Sequence, residues 1–195
     1  MIYFCTKFVT KYITKNKYNI MKKTVLMSVM FLLTLLFSCT SQTYVEPKTL
    51  EGLINSNQFT FMAKRANPTN FDVINVMNSL PNNNSARMLD LDYGYDVVIK
   101  EKELEVTLPY FGRMYNPSYD SSKNSFRFTS KDFTITKNQN KKGNWIYNII
   151  PKDAENVRNI YMEVFKNGNA YISIDANDRQ PISYDGYIMK NEVKK

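Results

Sequence analysis

Residues 160–175 read IYMEVFKNGNAYISID. Two runs in which apolar residues recur at every second position, Ile160-Met162-Val164 and Ala170-Ile172-Ile174, flank Lys166-Asn167-Gly168. A period of two puts one set of side chains on each face of an extended chain, and Asn-Gly between two such runs supplies the positive φ angles that a tight reversal requires. The stretch reads as a β-hairpin with one apolar face.

The same pattern continues in both directions. Upstream, Trp145, Tyr147 and Ile149 alternate after the turn sequence Lys141-Lys142-Gly143-Asn144, preceded by Phe133 and Ile135, then by Phe126 and Phe128 ahead of a turn at Lys131-Asp132. Further back, Leu104, Val106 and Leu108 follow a charged turn at 100–102, and Tyr93, Tyr95, Val97 and Ile99 precede it. Downstream, residues 182–189 form a last strand in which Asp185-Gly186 reads as a bulge, because both flanks are too short to stand alone. Phe59, Phe61 and Ala63 give one more strand, and Pro47 ahead of Leu50, Leu53 and Ile54 gives a short helix. Residues 66–87, with Pro68, Pro81 and Asn82-Asn83-Asn84, read as a long loop. Eight strands in sequential hairpins plus the one at 59–64 predict a mainly β chain. It is an antiparallel meander closing into a small lipocalin-like barrel, since closure removes unpaired edges, with the short N-terminal helix over one end or flank.

The first 38 residues are of another kind. From Met21, Lys22 and Lys23 precede an apolar run at 25–37 that ends at Ser38 and Cys39. The run is shorter than the roughly 20 apolar residues a bilayer-spanning helix needs, which is the anatomy of a signal peptide. Residues 36–39, LFSC, resemble the lipobox, in which the cysteine becomes the lipidated N-terminus; that resemblance implies acylation of Cys39, with palmitate among the acyl groups expected there. Residues 1–20 would make an overlong charged region, so translation is expected to start at Met21. The predicted organisation is a leader at 1–38, lipidated cysteine and tether at 39–45, a single β-rich domain at 46–190 and a tail at 191–195. The expected address is the cell envelope, at the periplasmic face of the outer membrane, because no acidic run follows Cys39.

Charge follows this division. The whole chain carries +8, but six lysines and no acid lie in residues 1–38, leaving 20 basic and 18 acidic residues from Cys39 onward. Those are interspersed in sign, as in Lys100-Glu101-Lys102-Glu103, and form no basic stripe for a phosphate backbone. No nucleic-acid partner is expected.

Histidine is absent and the two cysteines are Cys5 and Cys39. Serine–histidine and cysteine–histidine mechanisms and histidine-ligated zinc are therefore excluded, and six glycines form no phosphate-binding loop. No cofactor or metal is expected. Asp90, Asp92 and Asp96 lie close together and Glu103 and Glu105 share a strand face, which leaves a carboxylate-based hydrolase conceivable, although alternation with Leu104 and Val106 makes the glutamates a solvated row. The densest aromatic segment is LPYFGRMYNPSY, residues 108–119. Tyr110, Phe111, Arg113, Tyr115 and Tyr119 make a candidate surface for a sugar, peptide or lipid headgroup, set against a reading in which Tyr110 and Phe111 cap the barrel and Gly112 turns the backbone.

Three stretches, FTFMAKRANP at 59–68, LPYFGR at 108–113 and ISYDGYI at 182–188 after Asn177-Asp178-Arg179, resemble a domain-of-unknown-function family (family 4251) of small lipoproteins from Gram-negative bacteria. The resemblance implies a compact, mostly β domain and transfers no catalytic or binding residue. The function expected is thus a membrane-anchored envelope lipoprotein with a non-catalytic binding or scaffolding domain, whose partners are the membrane, through Cys39, and an envelope protein, glycan or lipid ligand. The alternatives are a barrel carrying an apolar ligand and the carboxylate hydrolase.

Overall fold

The computed structural model describes residues 43–70, 74–76, 79, 87–115 and 124–192, together with residues 23, 27, 28 and 30. The chain divides into two units, Met1–Gln42 and Thr43–Lys195. Residues 23, 27, 28 and 30 of the first are helical and exposed. No helix among the described residues is long and apolar enough to cross a membrane.

Among the described residues the second unit holds helix α1 (Pro47–Ser56), helical residues at 74–76 and 79, a 3₁₀ turn (Arg87–Leu89) and nine strands. The strands are β1 (Phe59–Pro68), β2 (Asp96–Ile99), β3 (Leu104–Leu108), β4 (Phe126–Ser130), β5 (Phe133–Gln139), β6 (Trp145–Pro151), β7 (Val157–Val164), β8 (Asn169–Ala176) and β9 (Ile182–Met189). They form one sheet in the order β4-β3-β2-β1-β9-β8-β7-β6-β5, with every neighbouring pair antiparallel. The sheet curls into a nearly closed barrel, mainly β as the alternation predicts.

The hairpin at 160–175 is present, with Ile160, Met162, Val164, Ala170, Ile172 and Ile174 all buried. Its turn uses one positive φ rather than two. Gly168 takes φ +82° and its N–H bonds Phe165 O at 3.0 Å, while Phe165 N–H bonds Asn169 O at 2.8 Å. The turn between β5 and β6 repeats this geometry, with Gly143 at φ +80° and bonds from Gly143 N to Asn140 O and from Asn140 N to Asn144 O. Both are three-residue loops in which glycine takes the left-handed position ahead of the second strand.

Two expectations are corrected. The turn at Lys131 and Asp132 does not make a hairpin. The eight antiparallel pairings that separate β4 from β5 are an even number, so the two strands run in the same direction and the chain passes from one edge of the sheet to the other through a bend. There is no glycine here to reverse it. The carboxylate of Asp153, from the β6–β7 loop, instead accepts the N–H groups of Lys131 at 2.8 Å and Asp132 at 3.2 Å and the hydroxyl of Ser130. The second correction concerns Asp185-Gly186: β9 is continuous, and the extra residue sits opposite, at Lys64 of β1, where the register slips between Ala63 and Arg65.

The inward side chains of all the long strands meet in one cluster, with Tyr147, Tyr184, Phe59, Phe61 and Met162 fully buried. Each large apolar group removed from water contributes about 2 kcal/mol before entropy is charged against it. Gly186 faces this interior, and the Phe61 ring takes the room a side chain there would need: an added Cβ would lie 2.9 Å from the ring and 2.1 Å from Met62 O. α1 starts with Pro47 in its first turn and buries Leu50, Leu53 and Ile54. It ends at Asn57, whose φ of 52° turns its N–H back to Ile54 O. The ammonium of Lys137 on β5 donates to the same carbonyl at 2.9 Å, the favoured sign of charge at a helix C-terminus.

Candidate functional site

The barrel has one end built by LPYFGR and the β8–β9 loop. Tyr110 leaves β3 and folds back over Gly112, where an added Cβ would come within 2.4 Å of its hydroxyl oxygen, so only glycine fits beneath the ring. Its hydroxyl is shared between Arg113 O at 2.9 Å and Gln180 O at 3.0 Å, and its ring meets Phe126 edge-on at 5.7 Å. Burial pushes the Tyr110 phenol up from its ordinary range. Tyr184, fully buried, donates to Pro109 O at 2.6 Å.

Arg179 closes this end. Its guanidinium lies 5.1 Å from the Tyr110 ring centroid and 4.8 Å from that of Phe126, with only 5% of the residue exposed. Nε and Nη2 hold both oxygens of Asp178 at 3.0 and 2.8 Å, and Nη1 donates to Asn124 O at 3.3 Å. The Arg179 hydrogen bonds keep the Asp178 carboxyl below the usual carboxylate range. A planar cation set against two rings and a bidentate carboxylate stacks and hydrogen-bonds at once, which lysine cannot do.

Of the predicted surface, Tyr110 and Phe111 are half-buried and packed against the core, whereas Arg113 and Tyr115 are exposed. Tyr115 is 58% exposed and is held through its backbone N–H to Asp178 O. Tyr119 and Cys39 lie outside the described residues. Arg179 escaped sequence reasoning: an arginine beside an aspartate on a loop looks like solvated charge, and nothing local marks it as buried.

A second candidate lies on the outer wall of β1–β3, a groove of about 550 Å³ whose floor is Thr60, Met62, Val98 and Thr107. Thr60, Met62 and Val98 point outward from the sheet yet are 5%, 3% and 9% exposed. The C-terminal end of the described chain crosses here. Asn191 bridges Thr60 Oγ1 and Ile99 O, and the exposed Tyr93 donates to Glu192 at 2.6 Å along one rim. On the other rim Lys100 pairs with Glu103 at 2.9 Å and with Glu105. The adjacent apolar Val97-Val98 was the sequence signal for this wall, since strict alternation would have put a polar residue at 98.

Three of the acidic residues singled out earlier, Asp90, Glu103 and Glu105, are engaged with cations. Asp90 pairs with Arg65 at 3.3 Å, and Glu103 and Glu105 converge on Lys100. Among the described residues no group of histidine, cysteine or acidic side chains is placed to hold a metal ion.

The fold and these sites define a small antiparallel β-barrel protein, with its interior given to packing and its polar chemistry on the outside. The model of the family described as Domain of unknown function (DUF4251) matches residues 41–188, and the chain belongs to that family. Among solved structures it is similar to a DUF4251 family protein from Bacteroides eggerthii DSM 20697, at 12% identity and a TM-score of 0.45, over 74% of this chain and 87% of that one. No curated protein matches the chain.

Proposed function

We propose that this chain is a lipoprotein of the cell envelope, cut ahead of Cys39 and acylated there, whose barrel is a non-catalytic binding or scaffolding domain on the periplasmic side of the outer membrane. The observation that carries the reading of the domain is its interior: the inward-facing side chains, two buried tyrosines included, form one contiguous core. A barrel that spends its interior on packing recognises partners with its outer surface. The groove on β1–β3 and the exposed Arg113 and Tyr115 supply outward-facing polar and aromatic groups of the kind that recognise protein or glycan. The pairing of Asp90, Glu103 and Glu105 with cations favours the non-catalytic reading over a carboxylate hydrolase.

The experiment is photo-crosslinking in living cells from a crosslinking amino acid at Thr107 in the groove or at Tyr115. Discrete adducts from one position, lost when Met62→Glu alters the groove or Arg113→Glu alters the barrel end, support a binding surface there. Absence of adducts from both positions overturns the binding reading. Recovery of a stoichiometric lipid from the purified protein would replace it with the carrier. Acyl labelling of the wild type but not of Cys39→Ser tests the anchor.

A further inference from the structure

We infer that the barrel end formed by the β5–β6 and β7–β8 turns rests on anionic phospholipid headgroups, and that residues 44 and 45 are the strap that orients it; this deepens, and rests on, the lipid anchor proposed for Cys39.

The strap is seated on the domain. Tyr44 donates its N–H to Asn167 O at 3.2 Å, in the β7–β8 turn, and stacks its ring on Tyr187 with centroids 4.5 Å apart and planes 10° from parallel. The Lys64 ammonium donates to the Tyr44 hydroxyl at 2.7 Å and lies 4.7 Å from its ring centroid. Val45 packs on Gly168, where an added Cβ would meet it at 3.2 Å. From Cys39 to Tyr44 the chain advances five residues, a reach of at most about 18 Å when fully extended. An anchor at Cys39 therefore holds the β7–β8 turn close to the bilayer.

That turn and its neighbour carry cations. Lys141, Lys142 and Lys166 are exposed, and the Lys166 side chain lies across the β5–β6 turn, its Nζ 2.8 Å from where a Cβ on Gly143 would be. Among the described residues none of the three is ion-paired. Two nearby carboxylates are turned to neutral amides: Glu163 accepts from Asn140 and Asn144 at 3.0 and 2.7 Å, and Asp185 from Asn67 at 2.7 Å. Lysines near an anionic leaflet are each attracted by about 1 kcal/mol, which is about fivefold in population. The partner is a lipid surface rather than an acidic protein because chain length alone keeps this end at the membrane.

The test uses the purified lipoprotein reconstituted in vesicles. Cys39 is blocked by its acyl group, so Lys141→Cys or, at the opposite end of β5, Lys131→Cys offers one thiol for a nitroxide. Collisions with a nickel-chelating lipid are then measured in phosphatidylcholine vesicles with and without phosphatidylglycerol. The label at position 141 is expected to relax faster than that at 131, by a wider margin in the anionic vesicles, with the added margin lost in Lys142→Glu/Lys166→Glu. Equal relaxation at both ends of a lipidated protein overturns the proposed face. A margin that does not widen with phosphatidylglycerol, or that still widens after the double replacement, overturns its electrostatic basis. Intact mass separates the failures: a mature chain without acyl groups on Cys39 overturns the anchor and the proposed face together.

Discussion

The segment carrying β1–β4 meets the segment carrying β5–β9 along two lines, and the chain treats them differently. Along the first, β1 and β9 exchange a ladder from Thr60–Met189 to Pro68–Ile182, joining residues more than a hundred positions apart. Along the second, β4 and β5 run in the same direction at opposite edges of the sheet, and the backbone itself makes the join at Lys131 and Asp132, gripped by Asp153. A bonded ladder needs tight backbone approach and tolerates no intruding side chain, whereas a covalent bend needs only acceptors for the N–H groups it leaves without strand partners. The first line should be sensitive to volume and the second to charge.

The most disruptive way to break the comparison is Gly186→Ala. A methyl 2.1 Å from Met62 O must push β1 from β9 or displace Phe61, an overpacking cost of about 3 kcal/mol, read as a lower urea midpoint. An unchanged midpoint would mean that the first line is not tightly packed. Next comes Arg179→Ala, which strips the clamp between the β8–β9 loop and Phe126 of β4 and leaves the Asp178 carboxylate, 17% exposed at its side chain, without its cation; about 2 kcal/mol should be lost. Equal stability of the variant would reduce Arg179 to a surface charge.

The smallest effect belongs to the bend. The Ser130 hydroxyl, followed by the N–H groups of Lys131 and Asp132, holds the Asp153 carboxyl below its ordinary 3.8. A depressed folded-state pKa contributes stability above the unfolded value and loses it as pH falls through the folded one. Asp153→Asn should therefore be less stable than the wild type at pH 7, with the gap closing below about pH 4. A gap independent of pH would show that the carboxylate's charge is irrelevant there.

Legibility in the sequence tracked distance along the chain. The hairpin at 160–175, the helix with Pro47 in its first turn and the strands at 104–108 and 145–151 were legible because period and turn glycine are local quantities. Lys131-Asp132 was misread because two polar residues between apolar runs look alike whether the chain reverses or bends; the difference lies in Asp153, some twenty residues away. The bulge was assigned to Gly186 because glycine is its usual sign, yet the extra residue is Lys64, across the ladder. In the candidate site, Gly112 was read as a backbone turn beside Tyr110, whereas its absent Cβ is what seats the Tyr110 ring. Arg179 and the groove beneath Tyr93 and Glu192 were not, since both are assembled from segments that meet only when the barrel closes.

The sequence by itself determined where strands run, which faces are apolar and where glycine lets the chain turn, because alternation and left-handed φ are set by neighbours one or two residues apart. Only the tertiary structure decided that β1 lies between β2 and β9, that β4 and β5 are edges and that an arginine is buried against two rings. Those outcomes depend on which distant backbones approach closely enough to exchange hydrogen bonds and exclude water, a condition the folded barrel meets as a whole.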